Sequence, residues 1–283
     1  MKNKRGWFAF PYVIWMALFV VIPIVIMAVY AFTVADPATN ATQASLENFT
    51  GMGVYLSVFL RSFWLAFLAT LVCLLVGYPV SYWMAKEGPR FQRVAMALIM
   101  LPMWMNFLLR TYSWMSILEN NGLLNQFFRS IGLLNLLGVD HIQMIGTSGA
   151  VVLGMVYNYL PFMILPIYSV IVKLDGSLLE AARDLGADSA RVFSKVIFPL
   201  SLPGILSGVT MVFVPSVSTF AISNLLGGGN QMMLGDLIEL QFLGGAYNPH
   251  LGAAVSMVMM AVVVVCMVVM NHFGEGEEQA VML

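Results

Sequence analysis

The chain has 283 residues, of which 60% are hydrophobic and only 10% are charged. Soluble globular domains carry about 25% charged residues, so this chain has too little polar surface to cover a globule in water. The formal net charge is −1, which indicates neither a nucleic acid nor an acidic partner. The composition excludes a soluble domain and predicts an integral membrane protein.

Residue types that carry catalysis or bind metals do not cluster in this sequence. Cys73 and Cys266 both lie in apolar runs without a Cys or His at metal-ligand spacing. The three histidines form no His-Glu-x-x-His pattern, and Ser148 lacks the spacing of a Gly-x-Ser-x-Gly elbow. We therefore predict neither catalytic residues nor a metal site, which disfavours an intramembrane enzyme.

Six stretches of the chain are free or nearly free of charged residues. They cover residues 6–35, 62–85, 94–109, 142–172, 196–235 and 251–271. About 20 apolar residues cross a bilayer core as a helix, and the first stretch is much longer than the apolar part of a signal peptide. The pattern predicts an all-α integral membrane fold with six transmembrane helices, the first of them uncleaved.

Basic residues are distributed unevenly between alternate connections. One set of connections contains Lys2, Lys4, Arg5, Lys86, Arg90, Arg93, Lys173, Arg183, Arg191 and Lys195. The other set contains only Arg61, Arg110 and Arg129. The positive-inside rule then predicts that both termini are cytoplasmic. Outer connections are expected near residues 33–61, 115–143 and 223–250, and inner ones at 86–93 and 173–195.

The third apolar run ends close to a charged residue. It spans residues 94–109, which is about 24 Å of helix, so the span is predicted to continue past Arg110. Two roles for Arg110 stay open. It either anchors the span by extending to the outer interface among Tyr112 and Trp114, or it lines a solute pathway.

The predicted inner connection at 173–195 is the most charged segment of the chain. Ser177 has Glu180 three residues later, a capping-box pattern that predicts a helix over 178–185. Gly186 supplies the left-handed position that ends such a helix. Asp188 is predicted to cap a second helix that ends near Pro199. Two short helices with small surface residues suit a groove on a cytoplasmic partner.

The same segment resembles a known loop. Glu180-Ala181-Ala182 is followed after three residues by Gly186, and after nine more by Val-Ile-Phe-Pro at 196–199. This spacing resembles the EAA loop of ABC importer permeases, with Val196 and Phe198 in place of Ile and Leu. The resemblance implies that the residues coupling the chain to an ATPase are Glu180, Ala181, Ala182, Arg183, Asp184 and Gly186.

The resemblance also implies a MetI-like ABC type-1 permease fold with separate partner subunits. No Gly-Lys dipeptide occurs, so the chain has no P-loop of its own and no cofactor is expected in it. By resemblance, two ATP-binding subunits hold ATP and Mg, a second homologous permease pairs with this one, and an extracytoplasmic protein delivers the solute. We expect an N-terminal helix and outer loop at 1–61, the permease domain at 62–271 with its coupling loop at 173–199, and a cytoplasmic tail at 272–283.

Further segments narrow the resemblance. Residues 101–114, 159–168, 178–187, 235–243 and 252–256 resemble the first permease subunit of spermidine/putrescine importers. The resemblance implies that polyamines move through the chain by alternating access. Permeases for ferric iron, sulfate and phosphonates share this framework and remain alternatives. Related polyamine permeases often have an acid in the stretch corresponding to 218–224, where this chain has none.

A pathway for a polycation is expected to combine aromatic faces with carboxylate or amide oxygens. The candidate pathway residues are Trp104, Asn106, Arg110, Tyr112, Trp114, Tyr157, Asn158, Tyr159, Asp236 and Glu239. An ion-coupled secondary transporter is a further alternative. It needs ionisable groups inside the membrane as a relay, yet residues 6–35, 62–85 and 251–270 contain no acidic residue and no basic residue.

Overall fold

The structure is a computed structural model that describes residues 10–35 and 42–281. Within these residues, five helices are long and apolar enough to cross a membrane. A sixth span results when the bent pair Pro89–Trp104 and Phe107–Ser130 is counted as one. The predicted all-α membrane fold is confirmed, while the basic cluster of Lys2, Lys4 and Arg5 lies outside the described residues.

The helices are named here in chain order. They are α1 (Phe10–Ala31), α2 (Leu56–Lys86), α3 (Pro89–Trp104), α4 (Phe107–Leu118), α5 (Leu123–Ser130), α6 (Leu133–Leu137), α7 (Ser148–Ile171), α8 (Gly176–Asp184), α9 (Ser189–Ser218), α10 (Ala221–Gly227), α11 (Leu234–Leu243) and α12 (Pro249–Val281). Two short helical segments, Glu47–Thr50 and Gly51–Tyr55, lead into α2. A small antiparallel hairpin that the sequence did not predict joins β1 (Thr33–Ala35) to β2 (Thr42–Ala44).

The chain forms two compact units. The smaller unit comprises the chain up to Ser57 together with Leu237–Val263, and the larger comprises Val58–Asp236 and the chain from Val264 onward. In the smaller unit, His250 Nδ1 lies 3.0 Å from the Tyr30 carbonyl oxygen and 3.2 Å from Thr33 Oγ1. These polar contacts join α1, the hairpin and the start of α12. The predicted functional division at residues 61 and 271 stays a prediction.

The larger unit is built around the close packing of α7 against α9. A Cβ atom on Gly204 would lie 2.9 Å from the Pro166 carbonyl oxygen, and one on Gly208 would lie 3.2 Å from the Met163 carbonyl oxygen. The two glycines are four residues apart, so both stand on the same face of α9. Small residues at this spacing let membrane helices approach closely. Met163, Ile167 and Val212 are buried around the contact.

The third span differs from its prediction. The bent pair does continue past Arg110, but not as one helix: the first helix ends at Trp104, and the next departs at 91°. Asn106 explains the new start, because its Oδ1 accepts hydrogen bonds from the backbone N–H groups of Leu108 and Leu109 at 2.9 and 3.3 Å. This is the geometry of an N-cap, which begins a helix rather than continuing one.

The second helix of the charged loop also differs from its prediction. It does not end near Pro199 but runs on to Ser218 as α9. The segment Phe193–Ile197 adopts a π-helical turn just before the proline, as Ala17–Val21 does before Pro23 in α1. A π turn is wider than an α turn and accommodates the proline ring without ending the helix.

Candidate functional site

The charged loop contains α8, whose start lies two residues earlier than predicted. Asp175 Oδ1 accepts a hydrogen bond from the Ser177 backbone N–H at 2.9 Å, so Asp175 is the N-cap. The predicted capping box of Ser177 and Glu180 is therefore wrong. Both Asp and Ser are good N-caps, and the aspartate ahead of Gly176 takes the position. Glu180 is left without a capping role and is exposed.

Hydrogen bonds at the cap also change the acidity of Asp175. The Ser177 backbone N–H is the largest cause, and the Ser177 hydroxyl adds to it, so the pKa of the Asp175 carboxyl is below its usual value of 3.8. A bond to the charged form of an acid favours that form. Asp175 thus stays ionised, and its negative charge complements the positive end of the helix dipole.

Gly186 ends α8 as predicted. Its φ is +81°, in the left-handed region that glycine adopts without strain. The Ala187 N–H donates to the Ala182 carbonyl at 3.1 Å, and the Gly186 N–H donates to the Arg183 carbonyl at 2.8 Å. This pair of bonds is a Schellman motif, which satisfies carbonyls that the helix end would otherwise leave free.

The second helix begins at Asp188, as predicted. Its Oδ1 accepts from the Arg191 N–H at 2.8 Å. Only the four residues from 185 to 188 separate α8 from α9, and Val192 and Ile197 are buried at the base of α9. The loop is therefore fixed at both ends of α8 and continuous with a membrane-spanning helix.

The surface of α8 is unusual for its exposed apolar side chains. No residue of the helix is buried, Leu178 is 49% exposed, and Leu185 just beyond it is 90% exposed. Of the predicted coupling residues, Ala182 is half-buried, and the exposed ones are Glu180, Ala181, Arg183, Asp184 and Gly186. The arrangement presents two leucines and small residues on a charged, well-ordered helix.

A second group of predicted residues meets inside the larger unit. Arg110 is only 7% exposed, and its Nε and Nη1 atoms have no hydrogen-bond partner among the described residues. Arg110 therefore does not extend to an interface, which goes against the anchoring role. Burying a guanidinium with unsatisfied donors is costly, so its presence calls for a functional explanation.

Aromatic side chains of α4 and α7 lie in the same unit as this arginine. The rings of Trp114 and Tyr157 meet edge to face, with centroids 5.4 Å apart. The Tyr159 hydroxyl interacts with the Thr219 side chain and lies within electrostatic range of Arg110. We call Arg110, Trp114, Tyr157, Tyr159 and Thr219 the polar-aromatic cluster.

Asn158 stands between Tyr157 and Tyr159 in the sequence of α7. It is buried, and its Nδ2 donates to the Gly154 carbonyl at 2.8 Å. Its Oδ1 has no hydrogen-bond partner among the described residues. The unsatisfied acceptor of Asn158 and the two unsatisfied donors of Arg110 each leave capacity to bind a further polar group.

The other predicted pathway residues have different surroundings. Trp104 and Tyr112 are exposed, and Asn106 is the cap of α4. Asp236 Oδ2 accepts from the Met233 N–H at 2.7 Å at the start of α11. Glu239 lies three residues further along α11 and is half-buried. The structure thus unites Arg110, Trp114, Tyr157 and Tyr159 and assigns local structural contacts to Asn106 and Asp236.

Thr219 is the member of the cluster that the sequence analysis missed. It occupies the break between α9 and α10, is buried, and follows Pro215 and Ser218. The predicted fifth stretch, 196–235, treated this break as continuous apolar chain. The proline and two hydroxyl residues were the available indication of a helix end there.

Five or six apolar spans and an exposed, capped loop helix define a multi-pass membrane protein. The chain belongs to the family described as binding-protein-dependent transport system inner membrane components, which it matches over residues 77–275. This membership confirms the predicted ABC permease class and its multi-pass location in the inner membrane.

Individual relatives are similar over most of the chain. It is 38% identical to the spermidine/putrescine transport system permease protein PotB of Haemophilus influenzae, over 88% of each chain. It is 37% identical to the PotB protein of Escherichia coli, over 88% of this chain and 90% of the relative. A bacterial ABC transporter that imports alginate has the same fold, with a TM-score of 0.79, 16% identity and 96% coverage of each chain.

Proposed function

We propose that this chain is a permease subunit of an ATP-driven importer that moves polyamines across the cytoplasmic membrane. The observation that carries the proposal is the 37–38% identity, over 88% of the chain, to permeases named for spermidine and putrescine. Both termini are cytoplasmic in this account, as the distribution of Lys and Arg predicts.

ATP hydrolysis is assigned to partner subunits. Two ATP-binding subunits hold ATP and Mg and receive α8 in a surface groove, while a second homologous permease completes the pathway. Leu178 and Leu185 provide exposed apolar area for this contact, and Glu180 is available because it does not cap its own helix. An extracytoplasmic binding protein delivers the solute from the other side.

The short link between α8 and α9 transmits movement of the ATP-binding subunits to the membrane-spanning helices. The cap at Asp175 and the Schellman motif at Gly186 fix both ends of α8, so a push on this helix moves it as a unit. Four residues further on, the chain is already in α9. Since α9 packs closely on α7 through Gly204 and Gly208, its displacement reorients α7, which carries Tyr157 and Tyr159.

The polar-aromatic cluster is the proposed segment of the solute pathway within this chain. Faces of Trp114, Tyr157 and Tyr159 attract ammonium groups by cation–π interaction. The free acceptor of Asn158 supplies an amide oxygen for an ammonium donor. These groups bind a flexible polyamine weakly at several points, which permits its release.

Transport measured in reconstituted vesicles tests the proposal. The chain and its co-purifying subunits are placed in proteoliposomes that enclose ATP, and binding protein with radiolabelled spermidine is added outside. We expect uptake that requires ATP, competes with putrescine and stops with a non-hydrolysable ATP analogue. Spermidine uptake of the same size without ATP contradicts the importer class, and ATP-dependent uptake of another solute alone contradicts the polyamine assignment.

One observation favours a different cargo class within the same family. The buried donors of Arg110 suit an oxyanion such as sulfate or a phosphonate better than a polycation. The same vesicles with radiolabelled sulfate distinguish the two. ATP-dependent sulfate uptake without spermidine uptake favours the anionic cargo, and the reverse result assigns Arg110 a role other than cargo binding.

A further inference from the structure

A shallow, open groove of about 550 Å³ lies along the outer surface of α3. Its lining consists of Arg90, Arg93, Val94, Ala97 and Leu98. None of the residues of α3 is buried, so this helix is peripheral in the described chain. The groove combines two cations with three apolar side chains; the positive-inside rule accounts for the side of the membrane on which the arginines lie, but not for their alignment with an apolar face.

The lining residues form one continuous face of the helix. Their spacing of three or four residues places them above one another along α3. Arg90 and Leu98 are separated by about 12 Å along the helix axis. The charged groups are therefore at one end of the groove, and the apolar groups extend from it in the direction of the bilayer interior.

The two arginines, unlike the nearby lysine, keep side-chain N–H groups that are free to bind a ligand. Arg93 Nε donates to the Pro89 carbonyl at 3.3 Å, which fixes the stem and leaves the terminal amino groups free. Arg90 makes no hydrogen bond or ion pair with any described residue. Lys86 is engaged instead, with Nζ 4.1 Å from the centroid of the Tyr82 ring. Glu87 is the only acid between Lys86 and Arg93.

An aromatic pair marks the depth of the charged end. Trp83 and Phe91 meet edge to face with ring centroids 4.8 Å apart, and both are exposed. Such aromatic residues concentrate at the boundary between headgroups and hydrocarbon. Arg90 immediately precedes Phe91 and Arg93 follows it by two residues, so both arginines are at headgroup level. Val94, Ala97 and Leu98 lie deeper.

We propose that this groove binds one anionic phospholipid. The phosphate-containing headgroup pairs with Arg90 and Arg93, and one acyl chain lies along Val94, Ala97 and Leu98. Charge complementarity selects this occupant, because anionic lipids are attracted to basic residues at the membrane surface. A zwitterionic lipid fills the apolar part equally well but gains less from the arginines. The site is independent of the cargo and of the coupling loop.

Native mass spectrometry of the purified complex tests the proposal. The complex is equilibrated in detergent with equimolar dioleoyl-phosphatidylglycerol and dioleoyl-phosphatidylcholine, and the retained lipids are counted. We expect the wild type to retain phosphatidylglycerol in preference, and each arginine to contribute about fivefold to that preference. Arg90→Gln with Arg93→Gln is expected to abolish it, while Arg90→Lys with Arg93→Lys preserves most of it.

Two further variants make the result specific. Ala97→Trp fills the apolar part without changing charge, and it is expected to lower retention of both lipids. Arg61→Gln with Arg129→Gln removes two cations elsewhere and is expected to leave the preference unchanged. Equal retention of both lipids by the wild type overturns the proposal, as does an unchanged preference in the double glutamine variant. If a partner subunit covers the groove, the wild type retains both lipids equally.

Discussion

The Asp175 carboxylate accepts a hydrogen bond from the Ser177 backbone N–H at 2.9 Å, and this contact begins the helix that carries Glu180. At the other end, Gly186 closes the helix with a φ of +81°. The cap at Asp175 and the turn at Gly186 together define the helix that carries Glu180, with Leu185 at its end. Local contacts set both ends of α8, although none of its residues is buried.

Removal of the cap is expected to loosen α8. Asp175→Ala leaves the first backbone N–H groups of the helix without an acceptor, so amide hydrogen exchange over 178–185 is expected to accelerate. Asp175→Asn keeps a capping oxygen and is the matched control. Hydrogen-exchange mass spectrometry of the complex measures both, and equal protection in all three proteins contradicts the assignment of Asp175 as the cap.

The cap also predicts a pH dependence. Because the folded pKa of Asp175 is lowered by the Ser177 N–H, its contribution is fully present above the usual value of 3.8. It is lost as the pH falls through the lowered folded pKa. Protection of 178–185 relative to the Asp175→Asn variant is therefore expected to decline only in that acidic window. A decline that begins near neutral pH points to another group.

Close packing of α7 on α9 predicts sensitivity at Gly204. A Cβ there lies 2.9 Å from the Pro166 carbonyl oxygen and 3.1 Å from Ile167 Cα, both backbone atoms. Gly204→Leu is expected to destabilise the protein by about 1–3 kcal/mol or more, since backbone has to move. Thermal unfolding in detergent measures the change. Gly53→Ala, where a Cβ meets no atom within 4 Å, is expected to have little effect.

Replacement of Arg110 is expected to affect folding stability and transport in different ways. Arg110→Met removes a buried charge whose Nε and Nη1 bond to nothing described, so stability is expected to be unchanged or higher by up to about 4 kcal/mol. Sulfate uptake by the same variant is expected to fall if the cargo is an oxyanion, because the cluster loses its charged donor, whereas spermidine uptake is expected to persist because a guanidinium repels a polycation. Arg61→Met is the control for a cation bonded to a single carbonyl. A loss of stability in Arg110→Met contradicts this account.

Much of the architecture follows from the sequence because the membrane imposes strong rules. Charge-free stretches located every span, and Gly186 and Asp188 marked helix boundaries because their local chemistry is nearly independent of context. Which of Asp175 and Ser177 is the N-cap of α8 was harder to predict. Both are favourable caps two residues apart, and only the observed bond shows which one is used.

The remaining differences arise from tertiary structure or from rare backbone geometry. A π turn lets α9 pass Pro199, and no residue pattern in the sequence distinguishes this from a helix end. The burial of Arg110 depends on where α4 points after its 91° bend. The cap at Asn106 and the pair of glycines at 204 and 208 were visible in the sequence, but their consequences appear only when the neighbouring helices are present.

The polar-aromatic cluster predicts a difference between two tyrosines. Tyr157 packs on Trp114 within the cluster, whereas Tyr112 is exposed outside it. Tyr157→Ala is expected to raise the KM for spermidine uptake several-fold more than Tyr112→Ala, because loss of one cation–π contact costs about 0.5–2 kcal/mol. Vesicle uptake over a range of spermidine concentrations measures both. Equal effects of the two substitutions contradict the location of the pathway.

The most direct test of the central claim, that α8 couples this permease to ATP hydrolysis, is ATP-driven spermidine uptake by the Leu185→Glu complex. Leu185 is 90% exposed, and burying a leucine in a partner groove contributes about 1.5–3 kcal/mol. Leu136, which is 83% exposed on α6, provides the matched control as Leu136→Glu. With equal amounts of each chain in the membrane, we predict that Leu185→Glu abolishes uptake and Leu136→Glu retains it. Wild-type uptake by Leu185→Glu would contradict the account.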